Sequence, residues 1–383
     1  MPQTSGMSRD PFDAIVLGVG GMGSAALLHL ARRNPRVLGL EQFQIPHEHG
    51  SSHGLTRIIR LAYWEHPAYV PLLRRAYELW HELEALAGEQ LLVTTGSVDA
   101  GPPVSVPIRG VLEACRQFSL RHETFDSSTL HQRFPGYRLP NDLVAVFQPD
   151  GGFLLSERCI TAHLNAALQL GATVHTNERV VDWEVAGDHV RVRTDRATYT
   201  TRRLIITAGP WAGKIVSALR PLVTVERQVV MWLTPRRPDL FMPGRFPVFY
   251  LHGDDGSFYG FPVFGDLGFK IGRYHHLRQI VDPDHVDRTC HPEDEMVLRQ
   301  AIQRYFPDAD GPPTLLKTCL FTNTSDEHFI IDTLSDTPRI VVAAGFSGHG
   351  YKFCSVVGEI LADLALEGGT RHDISLFTLQ RRD

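Results

Sequence analysis

The chain alternates between short continuous apolar runs and longer stretches in which apolar residues recur at fixed intervals. Residues 13–17 (DAIVL) form a run of the kind that makes a strand buried on both faces, and the pattern beyond the following glycines predicts a helix over 22–33. Residues 36–40 (RVLGL) repeat the strand pattern and end at Glu41, so the start of the chain reads as a βαβ unit. Within 66–87, Tyr69, Leu72, Leu73, Tyr77, Trp80 and Leu83 recur three and four residues apart, the apolar face of one long amphipathic helix. Many Pro and Gly between about 91 and 150 predict strand and loop, followed by a helix over 156–170. Residues 189–194 (HVRVRT) alternate with a period of two, and 204–211 (LIITAGPW) is an apolar run that ends in a turn. Residues 222–280 are rich in β-branched and aromatic residues broken by Gly and Pro, which predicts an antiparallel sheet. A strand over 339–344 and a helix over 353–366 close the pattern.

These signals interleave two kinds of structure, α/β segments and a sheet-rich part. With 383 residues, two domains are expected: a discontinuous one from 1–90, 151–220 and 320–383, and a second from 91–150 and 221–319. No run of 18 apolar residues is present, so nothing is expected to span a membrane. The first residues, MPQTSGMSRD, lack a basic then apolar leader pattern, and the last, LQRRD, do not form a peroxisomal tripeptide; a cytoplasmic protein is expected. A formal charge of -5 gives no reason to expect nucleic acid or an anionic membrane as partner. The five cysteines are odd in number, with no C-x-x-C pair, which fits a reducing compartment better than a disulfide framework or structural zinc. The 19 histidines lack the repeated short spacing of a metal tract, and no metal is expected.

The candidate chemistry begins with Gly18-Val19-Gly20-Gly21-Met22-Gly23, a G-x-G-x-x-G between predicted strand and helix. Gly18 allows the tight turn, Gly20 lets a pyrophosphate approach, and Gly23 lets helix and strand pack closely, while the helix N-terminus offers N–H groups to phosphate. Glu41 lies 23 residues after Gly18, where an acid accepts from ribose hydroxyls. This half does not distinguish FAD from NAD. Residues 319–352 supply a second half: Cys319 beside a short strand, an apolar run, then Gly345, Gly348, Gly350 and Lys352. Glycine turns at both ends of one chain suggest a dinucleotide gripped from both, and a flavin more than a nicotinamide. In residues 47–60 (HEHGSSHGLTRIIR), Arg57 and Arg60 stand three apart on one helical face with His53 nearby. They could hold an anion or the flavin pyrimidine edge, or form a solvated basic helix end; spacing alone leaves both open.

The blocks GVGGMG, GSSHGLTRIIRLAY, ITAGPW, FYGFPVFG with KIG, CLFTNTSDEHFIID and AGFSGHGYKF occur in one order over nearly the whole chain. Together they resemble the monomeric sarcosine oxidase family, which includes N-methyltryptophan oxidase and the sarcosine/pipecolate oxidases. The resemblance implies a D-amino-acid-oxidase-like α/β (α+β) fold: a glutathione-reductase-type FAD-binding Rossmann domain and an interleaved, mainly antiparallel-sheet substrate domain. It implies FAD-dependent oxidation of secondary amino acids by O2, with a monomer expected. The cofactor would be held by Gly18, Gly20, Gly21, Met22, Gly23, Glu41, Ser51, Arg57, Ala208, Gly209, Trp211, Gly345, Gly348, Gly350 and Lys352, and bonded covalently through Cys319. Arg60 and Lys352 match the pair that binds the substrate carboxylate, since an anion entering an apolar pocket must be paired. His53 and Arg57 match positions beside the flavin ring, Tyr259 lines the substrate pocket, and Lys270 marks where O2 is reduced. Two departures bear on substrate: Phe321 stands where the family has tyrosine, and Tyr274 where it has histidine, with His275 one residue later. The reaction implied is oxidation of an N-alkyl amino acid to an imine that water hydrolyses, sarcosine giving glycine and formaldehyde, with H2O2 formed from O2. Pipecolate, proline and N-methyltryptophan are the alternative substrates. The sequence shows no evident general base; a lowered pKa of the bound amine would serve. Two rivals are a nicotinamide-dependent dehydrogenase, which leaves Cys319 and the C-terminal glycines without a task, and a non-enzymatic or tRNA-modifying flavoprotein, which the negative charge does not favour.

Overall fold

The computed structural model describes residues 11–33 and 36–381, so the leader pattern expected to be missing from residues 1–10 lies outside the described residues. Strand Phe12–Leu17 is the middle of an eight-stranded sheet. It pairs in parallel with Val37–Leu40 on one side and with Thr198–Ile206 on the other. Ile340–Ala344 adds a further parallel strand beside Thr198–Ile206, so the two ends of the sequence meet in one sheet. The DAIVL run is apolar throughout because both faces are covered. Ala14 and Val16 pack on one side with Ala26, Val357 and Leu361 of the helices Gly21–Ala31 and Cys354–Glu367. Ile15 and Leu17 pack on the other with Val190, Val192 and Val216. The two helices touch through Gly358, where a Cβ would lie 2.5 Å from the Ala25 main chain, so only glycine permits their spacing.

The second sheet has nine strands. Thr224–Leu233 lies one strand in from an edge and pairs antiparallel with both Phe269–Arg273 and the long edge strand Pro313–Asn323. Val248–Gly253 pairs antiparallel with Gly256–Phe261 but parallel with Ser97–Gly101, so the expected antiparallel sheet is realised with one parallel step. Phe246, Phe249, Phe269 and Phe306 with Tyr137 fill the core on one side of it. A third sheet of Thr56–Ile59, Gly152–Leu155 and Leu92–Thr94 completes the architecture. Among the described residues no helix is long and apolar enough to cross a membrane.

Three expectations are corrected. Residues 91–150 are not only strand and loop: Val106–Phe118 is a helix, buried through Ile108, Val111, Ala114 and Cys115, at three- and four-residue spacings hidden among prolines and glycines. A shorter helix, Ser127–Arg133, is capped by the Asp126 side chain accepting from Thr129 N–H. Arg57 and Arg60 do not share a helical face. Arg57 is within strand Thr56–Ile59 and Arg60 just beyond it, because pairing with Gly152–Leu155 overrides any helical tendency of so short a segment. Cys319 lies inside the eleven-residue strand Pro313–Asn323, which crosses the 319/320 boundary and belongs to the second sheet throughout.

Gly23 fixes how closely the first helix meets its strand, since a Cβ there would stand 1.9 Å from Gly18 O. Gly23→Ala is expected to destabilise the protein by about 1–3 kcal/mol, the usual result of overpacking. The measurement is a lower thermal midpoint.

Candidate active site

A cleft of about 1430 Å³ opens at the carboxyl ends of the parallel strands. Gly18, Gly20, Gly21, Met22, Glu41, Ser51, Arg57, Ala208, Gly209, Trp211, Gly345, Gly348 and Gly350 all line it; Gly23 does not, and serves packing instead. Gly18 has φ +88° and a Cβ would lie 2.6 Å from Thr207 O. The helix Gly21–Ala31 starts here without a side-chain cap or an acidic first turn, and Gly21 N–H donates to Ser52 Oγ at 3.2 Å. Its other leading N–H groups and its positive dipole end suit an anion. Glu41 is already engaged: its carboxylate accepts from Val19 N–H at 2.8 Å and Phe43 N–H at 3.1 Å, tying the glycine loop to the end of the second strand.

A second chamber of about 800 Å³ adjoins the cleft, and Arg57, Phe321, Gly348 and Tyr351 line both. Arg57 is fixed at the junction by donating to Ser51 O at 2.8 Å and Thr56 O at 2.9 Å, with Nη2 3.8 Å from Cys319 Sγ. Gly348 has φ +76°, and a Cβ there would stand 2.3 Å from the Phe321 ring, so the glycine makes room for the phenyl group. His53, Arg60, Tyr259, Cys319 and Lys352 also face this chamber. Both ring nitrogens of His53 lack a partner; burial, then the cation Arg57, push its pKa down to about 2, so it stays neutral.

Sequence reasoning missed what surrounds Arg60. Its Nε lies 3.3 Å from Asp99 Oδ1 and its Nη2 3.8 Å from Glu65 Oε1. Burial works against the guanidinium charge, but Asp99 and then Glu65 outweigh it and hold the pKa above its usual value. Lys352 donates to His349 O at 2.7 Å and Tyr63 Oη at 3.3 Å; burial, then Arg60, push its pKa down to about 7. Burial raises the carboxyl pKa of both Glu65 and Asp99. The one available signal was an acid, Asp99, in the otherwise apolar strand Ser97–Gly101. Trp64, Tyr250 and Tyr274 complete the walls.

Besides Gly23, two expected residues line neither cavity. Lys270 is buried behind Thr56–Ile59, and its three donors meet Gly54 O at 2.6 Å and Thr56 O and Oγ1 at 3.1 Å. Burial, then Arg57, hold its pKa well below the usual lysine value. Its ammonium also sits 4.5 Å from the Phe261 ring and 5.0 Å from that of Trp232. His275 is turned away from the chamber, its ring engaged by Glu226 and Glu327, while Tyr274 takes the wall position.

Known proteins resemble this chain over nearly its whole length. Residues 13–364 match the family model described as FAD dependent oxidoreductase (DAO). The chain belongs to this family. It is 42% identical over 375 residues to monomeric sarcosine oxidase of Streptomyces avermitilis, covering 97% of each chain. It is 33% identical over 375 residues to N-methyl-L-tryptophan oxidase of Yersinia pestis, covering 97% of this chain and 99% of that one. The solved structure of NikD, an unusual amino acid oxidase of nikkomycin biosynthesis, superposes with a TM-score of 0.83 at 25% identity, covering 96% and 97% of the two chains.

Membership resolves what the glycine motif left open, because this family's dinucleotide is FAD. The cleft fits it on structural grounds: a helix N-terminus without a side-chain cap from its N-cap residue for the pyrophosphate, and the glycines Gly18, Gly20, Gly345, Gly348 and Gly350 along its lining. The charged cluster faces the chamber that adjoins this cleft. Asp99 is the buried counter-charge of that cluster, and removing it leaves Arg60 short of its nearest anion. Asp99→Ala is expected to cost about 3–5 kcal/mol of folding stability, measured by denaturant unfolding.

Proposed function

We propose that this chain oxidises secondary, N-methyl amino acids with O2, sarcosine giving glycine, formaldehyde and H2O2. The observation that carries the reading is the buried pair Arg60 and Lys352 in a chamber that opens onto the FAD cleft. Two cations sequestered from water form a site for a carboxylate, and the names of the curated relatives, sarcosine and N-methyltryptophan oxidases, agree.

Bound FAD supplies the redox chemistry, accepting two electrons from the amine and passing them on to O2. The protein's part is to bind, orient and exclude water. Arg60 and Lys352 take the carboxylate; the incoming negative charge raises the Lys352 pKa from about 7, so substrate binding itself favours the ammonium form. Tyr259, Phe321 and Tyr274 wall the space beside it with apolar surface. Neutral His53 adds no charge at the junction, and Arg57 is left as the cation there. Lys270 carries the charge for O2 reduction. A Cβ on Gly54 would lie 3.7 Å from Lys270 Nζ and 3.6 Å from Arg57 Nη1, so this glycine leaves room for an atom between the buried lysine and the half-buried arginine. Cys319 Sγ faces the chamber next to Arg57 and is the group we assign to a thioether with the flavin.

Aromatic walls favour a second substrate reading. Trp64, Tyr250 and Tyr274, with Phe321 lacking a hydroxyl, suit a cyclic or bulkier secondary amino acid such as pipecolate, proline or N-methyltryptophan. The five cysteines are unpaired, which supports a reducing compartment such as the cytoplasm. The relatives named monomeric support a monomer.

Anaerobic addition of sarcosine to the purified holoenzyme is expected to bleach the flavin band near ~450 nm. If sarcosine leaves the band intact and pipecolate or N-methyltryptophan empties it, the second reading holds; if none does, the reaction assigned here is wrong. Lys270→Met is expected to slow reoxidation by O2 about 10²–10³-fold while leaving anaerobic flavin reduction within a few-fold. Equal losses in both half-reactions would remove Lys270 from the oxygen site. Cys319→Ser should release its flavin on acid precipitation, where the parent protein keeps it in the pellet.

A further inference from the structure

His275 lies outside both cavities, yet its contacts reach two walls of the substrate chamber. It sits in the turn after strand Phe269–Arg273 with φ +54°, a strained conformation for a non-glycine residue. Its Nδ1 lies 2.8 Å from Glu226 Oε2 and its Nε2 2.8 Å from Glu327 Oε1. Carboxylates only accept, so both ring nitrogens must donate, and the ring is an imidazolium. Glu226 is anchored from its own side by Gln228 Nε2 at 2.8 Å and Asn323 Nδ2 at 2.9 Å. Glu327 also has positive φ, +60°. The clamp therefore joins the turn to strand Thr224–Leu233 and to the 324–328 turn.

From Glu327 the contacts run inward with one consistent direction of donation. His349 Nε2–H donates to Glu327 O at 2.9 Å, which leaves His349 Nδ1 to accept from Tyr63 Oη at 2.6 Å. Burial, then Lys352, hold the His349 pKa well below its usual value, in keeping with a neutral ring. Tyr63 Oη in turn accepts from Lys352 Nζ at 3.3 Å. On the other side, the neighbouring Tyr274 donates to Ser347 O in the cofactor loop at 2.5 Å, and its ring lies 4.4 Å from that of His275.

We infer that His275, clamped between Glu226 and Glu327, is a positioning residue that sets the direction of the Lys352 ammonium and the place of the Tyr274 wall. This rests on the carboxylate site proposed above. The groups facing the ring are the two glutamates; Arg278 bears on Glu226, while Arg227 is paired with Asp294 and Asp326 with Arg381. Hydrogen bonds to Glu226 and Glu327, in that order, raise the His275 pKa to about 9. A raised pKa means the clamp is whole below that value and loses one contact as pH climbs through about 9. The Lys352 pKa, pushed down by burial and then by Arg60, lies lower, at about 7.

The test is binding of cyclopentanecarboxylate, the proline shape without its amine, to the holoenzyme, followed by perturbation of the flavin spectrum from about pH 6 to 10.5 so that no substrate amine titrates. Wild-type affinity should fall in two steps, near 7 and near 9. His275→Gln should bind about tenfold more weakly below pH 9 and lack the upper step, and its KM for the amino acid should rise about tenfold with kcat within about threefold. Glu327→Gln, at a half-exposed position outside the chamber, should move the upper step to lower pH and covers the case in which His275→Gln fails to fold. A wild-type curve without the upper step, or identical curves for wild type and both variants, overturns the inference while leaving the carboxylate site standing. No binding by wild type at any pH overturns the carboxylate site and the inference with it.

Discussion

Buried positive charge is the constraint around which this molecule is arranged. Arg57, Arg60, Lys270 and Lys352 stand within one seam between the sheets, three of them almost wholly out of water. A cation moved out of water must be answered by something, and each is answered differently. Arg60 has two carboxylates, Lys270 has three oxygens of Gly54 and Thr56, Arg57 has two carbonyls, and Lys352 has a carbonyl and a phenol. Burial lowers the pKa of both lysines, that of Lys270 well below its usual value and that of Lys352 to about 7, and of the two only Lys352 lines the chamber. It is the cation with most to gain from an anionic guest.

The legible parts of this fold are those set by local periodicity. The DAIVL run, the glycine turn and the apolar face from Tyr69 to Leu83 each carry their instruction within a few residues, and each formed as expected. The helix Val106–Phe118 was obscured because prolines and glycines at its edges gave a competing local signal. The segment around Arg57 failed for another reason: its strand exists only because residues 152–155, nearly a hundred positions later, lie alongside. The site divides the same way. Glycines and the paired cations could be read from motif order, whereas Glu65, Asp99, Tyr63 and His349 matter through distances that no spacing encodes.

The two departures from the family pattern also become physical in three dimensions. Phe321 fits because Gly348 has no side chain, and Tyr274 fits because its hydroxyl finds Ser347 O. Each is therefore settled against the cofactor loop and not against another wall of the substrate chamber. His275, displaced by one position, is freed to bridge two carboxylates outside the chamber.

The four residues that line both cavities, Arg57, Phe321, Gly348 and Tyr351, mean that the two spaces share a boundary and not a partition. The protein supplies part of the room in which an amino acid would be recognised, and a flavin held in the cleft would complete it. Recognition of the substrate would thus be contingent on loading. A mutation that alters how the ring is seated would change which amines are accepted without touching any residue that contacts them.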